Sequence, residues 1–114
     1  MTDEVLRMPD DPMYRLLREG RIEEFNRRRA GGEPCDLTRC NLRGLDLRGI
    51  NAKGLDLSGC YFRQGDLRGI DLSDAKLEGA SIHAAHISGV YFPKELAPGE
   101  IELSLRTGTR MRYR

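Results

Sequence analysis

The chain has no tryptophan, and only 6% of its residues are aromatic. A wide core of large side chains is therefore excluded. Neither sign of charge dominates: 19 Lys and Arg stand against 18 Asp and Glu, for a net charge of +1. No whole-molecule field favours nucleic acid or an anionic membrane. Nor is there a charged tail, since residues 1–34 sum to −1, 35–94 to +1 and 95–114 to +1. No apolar run approaches the roughly 20 residues needed to span a bilayer. The N-terminal MTDEVLRMPDDP is acidic and lacks the apolar stretch of a signal peptide. Cysteine is scarce, and Cys35, Cys40 and Cys60 do not read as a secreted disulfide framework. These absences predict a cytoplasmic, soluble protein of one domain in 114 residues, with no membrane association.

Catalytic motifs are missing too. There is no Gly-rich phosphate loop, no HExxH and no Cys-x-x-Cys. The expectation is a non-enzyme with no cofactor and no metal. His83 and His86 fall close together, but two histidines without a third, preorganised ligand are usually surface residues.

What the sequence does have is a period of five. From Cys35 the chain divides into CDLTR CNLRG LDLRG INAKG LDLSG CYFRQ GDLRG IDLSD AKLEG ASIHA AHISG VYFPK, twelve units without an insertion. The third position is always apolar: Leu37, Leu42, Leu47, Ala52, Leu57, Phe62, Leu67, Leu72, Leu77, Ile82, Ile87 and Phe92. The second position is Asp or Asn in seven units, and the last is Gly in seven. Five matches neither the helical 3.6 nor the strand period of 2. First and third positions lie two apart, so in an extended segment both point inward. The last two residues must turn the chain, and Gly permits the positive φ of many tight turns. One circuit cannot bury its apolar edge alone, so circuits must stack.

These units resemble the pentapeptide-repeat family, whose pattern is A-[D/N]-L-x-x, over residues 35–94. The resemblance implies an all-β solenoid: a right-handed quadrilateral β-helix in which four pentapeptides make each square coil. Three coils follow, at 35–54, 55–74 and 75–94, about 4.8 Å apart. Gly65, Ala52, Tyr61, Lys76, Ser81, His86 and Tyr91 depart from the pattern.

A twenty-residue coil aligns residue n with n+20. Cys40 and Cys60 then share an inward column and are expected to stay free thiols. Outward columns Arg43–Arg63–His83 and Arg48–Arg68–Ser88 stack arginines on two adjacent sides, with Asp46 and Asp66 beside the second. One reading is a solvated surface of self-cancelling pairs. The other is a cationic patch of Arg43, Arg48, Arg63, Arg68 and His83 for an acidic partner, with Tyr61 as its aromatic contact.

Flanking segments read as caps over the solenoid's raw ends. Residues 1–34 predict an N-terminal helical cap, with Asp11-Pro12 opening one helix, Gly20 ending it, and RIEEFNRRRAGG forming a second. Residues 95–114 predict a C-terminal cap or dimerisation segment. A helix over 98–107 followed by extended TRMRYR is favoured, while alternation of Ile101, Leu103, Leu105, Met111 and Tyr113 keeps a strand open. The family resemblance also implies a homodimer through this C-terminal segment.

Three function classes remain. The first is a non-enzymatic protein–protein interaction module whose partner is another protein. The second comes from the resemblance: some long pentapeptide-repeat proteins imitate DNA, bind DNA gyrase and confer fluoroquinolone resistance. Mimicry needs an acidic rod, and three coils with a repeat charge of +1 argue against it. The third, nucleic-acid binding through stacked arginines, is disfavoured by the interspersed aspartates.

Overall fold

The computed structural model describes residues 6–114; residues 1–5 of the expected N-terminal cap lie outside the described residues. The all-β expectation needs correction. Among the described residues there is no β-strand and no sheet, so the chain is not an all-β solenoid or a quadrilateral β-helix of paired strands. The regular elements are three short helices: α1 (Pro12–Arg18), α2 (Ile22–Ala30) and α3 (Pro98–Thr107).

Residues 35–94 are instead a succession of turns. At each of the eleven junctions, the first-position amide of one unit donates to the third-position carbonyl of the unit before, as in Leu45 N to Leu42 O and Ile50 N to Leu47 O. The fifth residue usually takes a positive φ, such as 74° at Gly44 and 87° at Gly49. Bond and φ together match a type II turn. The second-position side chain braces the same turn from outside. All seven Asp and Asn there accept from the backbone amide two residues on, as Asp46 Oδ1 does from Arg48 N at 3.1 Å. The preference for Asp and Asn is thus an Asx-turn requirement.

Turning consumes most of each unit, and that is why strands do not form. Only the second position forms a bridge between circuits, although fifth-position amides also donate across them, as Gly44 N does to Arg63 O at 2.8 Å. Six isolated parallel bridges join second positions twenty residues apart, among them Asn41–Tyr61, Tyr61–Ser81 and Asp66–His86; a seventh joins Arg7 to Cys40. Backbone bonds follow the same register, as in Phe62 N to Ser81 O at 2.8 Å and Ser81 N to Cys60 O at 3.0 Å. The chain returns over itself every twenty residues without a strand.

First and third positions point inward. Third-position residues from Leu37 to Ile82 are at most 3% exposed, whereas Ile87 and Phe92 are only half-buried. Each fully buried leucine contributes about 1.5–3 kcal/mol. Met13, Leu16, Leu17 and Phe25 of the N-terminal helices join this core. Asp11 caps α1 by accepting from Met13 N, and Pro12 begins it.

The two ends are closed unequally. At the N-terminal end, Arg7 reaches the carbonyls of Asp36 and Thr38, Tyr14 that of Asn41, Asn26 that of Gly49, and Arg29 those of Asn51 and Lys53. All four sides of the first circuit are covered. At the other end, Tyr113 Oη accepts from Leu77 N, Met111 O from Gly79 N, Ser104 Oγ from Ile82 N and Leu105 O from Ala84 N. Two sides are covered. The amides of Ile87 and Gly89, on the third side, meet no protein acceptor among the described residues. The C-terminal segment resolves as helix α3, ended by Gly108 at φ 82°, and not as a strand.

Departures from the pattern now have causes. A Cβ on Gly65 would lie 3.0 Å from Leu45 O and 3.1 Å from Phe62 O, both backbone atoms. Gly65→Ala should cost about 1–3 kcal/mol of stability, while Gly99→Ala in α3, with no atom within 4 Å, should leave it equal or slightly higher; thermal melting compares them. Conversely, Ala84 holds φ 59° without being glycine. Ala84→Gly should stabilise by up to about 1 kcal/mol, read by the same melt.

The Asx turns also set an acid response. Hydrogen bonds from the Thr38 side chain and backbone hold the Asp36 carboxyl below its usual range, and those from Ser73 do the same for Asp71. A lowered folded value stabilises above the unfolded pKa of about 4 and is lost as pH falls through the folded one. Replacing both by Asn keeps the acceptors but removes the titration. Melting temperature should therefore fall less steeply between pH 5 and pH 2 in the double variant than in the wild type.

Candidate functional site

The structure separates the two arginine columns by their partners. On the third side, Arg48 grips Asp46 through Nε at 2.9 Å and Nη2 at 2.8 Å, and Arg68 grips Asp66 at 2.9 and 2.7 Å. Arg48 Nε also lies 3.3 Å from Asp66, crossing between circuits. The Arg68 hydrogen bonds hold the Asp66 carboxyl well below the usual carboxylate range, with the Arg48 charge adding to them. Arg48 in turn is held protonated chiefly by Asp46. This side is electrically balanced. Its geometry follows from the Asx turn, because a carboxylate bracing the turn amide also faces the arginine two residues on.

The second side has no such balance. Arg43 is exposed and donates through Nε to Gln64 Oε1 at 3.0 Å, a neutral acceptor. Arg63, twenty residues on, is half-buried. Its Nε donates to Ser81 Oγ at 3.2 Å and its Nη2 to Gly108 O at 3.0 Å. Ser81 is fully buried and also donates to Gly108 O. Arg63 therefore fastens the C-terminal segment to the repeat. Tyr61 lies beneath it, with the guanidinium carbon 4.4 Å from the ring centroid. His83 completes the column, and its buried Nδ1 has no hydrogen-bond partner. Neither Arg43 nor Arg63 makes an ion pair among the described residues.

The structure thus gathers Arg43, Tyr61, Arg63 and His83 on one side, and sets Arg48 and Arg68 on the next, already paired. It also adds a residue the repeat pattern did not reach. Arg110 follows α3, and its guanidinium carbon lies 5.1 Å from the Tyr61 centroid. The twenty-residue alignment carries no information about it. Ser81 was visible only as a small polar residue in a position usually held by Asp or Asn.

This arrangement presents guanidinium donors, the groups with which proteins hold oxyanions. In the core behind it, burial pushes the Cys40 thiol up to about 11 and the Cys60 thiol up to about 12, where little reactive thiolate exists at neutral pH. Both are free thiols. No group of three or more His, Cys, Asp or Glu among the described residues could hold a metal ion.

Comparison with known proteins agrees with the repeat. The family model for pentapeptide repeats matches eight copies, over residues 35–60 and 56–92. No curated protein and no solved structure matches the chain. The matched segments span more than half of the sequence, and the chain belongs to the pentapeptide-repeat family.

Proposed function

We propose that the chain is a non-enzymatic interaction module that binds an acidic region of another protein through its second side. The observation that carries this is the contrast between neighbouring columns: Arg48 and Arg68 are neutralised by Asp46 and Asp66, while Arg43 and Arg63 meet only neutral acceptors. A surface held by a hydrogen bond at every fifth residue loses little conformational entropy on binding. The DNA-mimic reading gains nothing, because the molecule measures 36 × 33 × 22 Å and is no rod.

A second copy of the chain is proposed as a further partner, docked on the half-open C-terminal end. Supporting this are the amides of Ile87 and Gly89, which meet no protein acceptor among the described residues, and the half-buried Ile87, Val90, Phe92 and Ile101.

Two outcomes are expected. Affinity capture from native extract, read by mass spectrometry, should recover one acidic partner that Arg43→Glu loses and Arg48→Gln retains, with unchanged melting for both; equal recovery by Arg43→Glu ends the assignment. Light scattering should give a dimer that Leu103→Glu, on the half-exposed face of α3 outside the core, converts to monomer. A monomeric wild type at high concentration rules the second copy out.

A further inference from the structure

The corner where the C-terminal segment crosses the second side holds a guanidinium with one edge free. Arg110 Nη1 donates to two backbone carbonyls, Gly59 O at 3.1 Å and Gly79 O at 2.8 Å. Two acceptors on one nitrogen fix the plane of the group. The opposite edge, Nε and Nη2, meets no acceptor among the described residues. That edge is the one with which arginine grips a carboxylate or phosphate bidentately.

Arg63 shares the Tyr61 ring with Arg110. Its Nε and Nη2 are committed to Ser81 and Gly108, which leaves Nη1 without an acceptor among the described residues. A Cβ on Gly108 would come to 3.0 Å from Arg63 Nη2, so the guanidinium would have to shift by a few tenths of an ångström, and the φ of 82° itself favours glycine. Both arginines are half-buried, and neither has a carboxylate partner among the described residues. Withdrawing a cation from water without a counter-charge is costly. The Tyr61 ring, 4.4 Å from one guanidinium carbon and 5.1 Å from the other, offsets part of that cost.

Two restrained positive charges and one free fork call for an oxyanion that is nearly doubly charged. A phosphomonoester carries about −1.5 to −2 at pH 7, whereas a carboxylate carries one. We infer that the Tyr61–Arg63–Arg110 corner is a phosphomonoester site that takes a phosphorylated side chain of the partner protein. The inference rests on the interaction-module reading and sharpens it: Arg110 supplies the bidentate grip, Arg63 the second charge, and exposed Arg43 attracts acidic residues flanking the phosphate.

The test is a titration of 15N-labelled protein, following arginine side-chain Nε–H signals at constant ionic strength. Phenyl phosphate should shift the Arg110 signal saturably, at a concentration about tenfold below that needed with acetate. Arg110→Lys keeps the charge but loses the fork, and should weaken binding about tenfold; if that variant loses its fold, the wild-type preference for phenyl phosphate over acetate decides alone. No saturable shift, or an equal response to acetate, overturns the site. A phosphoserine peptide should bind more tightly than its unphosphorylated form and than a nucleoside monophosphate; tighter nucleotide binding overturns the assignment to a protein partner. Loss of capture in Arg43→Glu without phosphate binding would leave the module reading standing and sink this one. Phosphate binding with unaffected capture would leave an oxyanion site in place but sink both the module reading and the assignment to a partner protein.

Discussion

A single turn, repeated every five residues, is the constraint on which the rest of this molecule depends. The third-position carbonyl accepts from the next first-position amide. That closure fixes the corner, sends first and third side chains inward, and aims the second outward. Four such corners bring the path back to its start, displaced by one backbone spacing. Hydrogen bonds between residues n and n+20 then follow from geometry. An apolar residue at each third position fills the inside because no other direction is available to it.

The period, the inward columns and the positions of the helices could be read from the sequence. Runs such as LDLRG state the turn directly, and Asp11-Pro12 and Pro98 with Gly108 mark helix ends by their chemistry. The all-β expectation failed for a physical reason: pairing needs consecutive extended residues, and here the Asx brace and the turn leave one per unit. Asp46 and Asp66 looked like partners for the arginines. They are, but their first duty is to the turn amides of Arg48 and Arg68, which explains why the preference persists at Asp56 and Asp71, where serine follows two residues on.

The candidate site was legible only in part. Stacking placed Arg43, Arg63 and His83 in one column because register is a sequence property. It could not tell a free arginine from a committed one. Arg63 differs from Arg68 in what lies above it: buried Ser81 and the carbonyl of Gly108, brought there by a segment with no repeat. Arg110 lies outside the period altogether. Side chains supplied by the irregular segments of a regular protein must be located in space before they can be interpreted.

The unequal closure of the two ends bears on how such a chain can change length. The N-terminal helices, and α3 with the segment after it, touch particular sides of the coil, through Asn26 and Arg29 at one end and Ser104, Met111 and Tyr113 at the other. Duplication or loss of four consecutive units would return every one of those contacts to its own side. Adding a single unit would rotate one lid by a quarter turn and present Ser104 to the wrong amide. Evolution and protein engineering are therefore held to steps of twenty residues, although the repeat that builds the molecule is five.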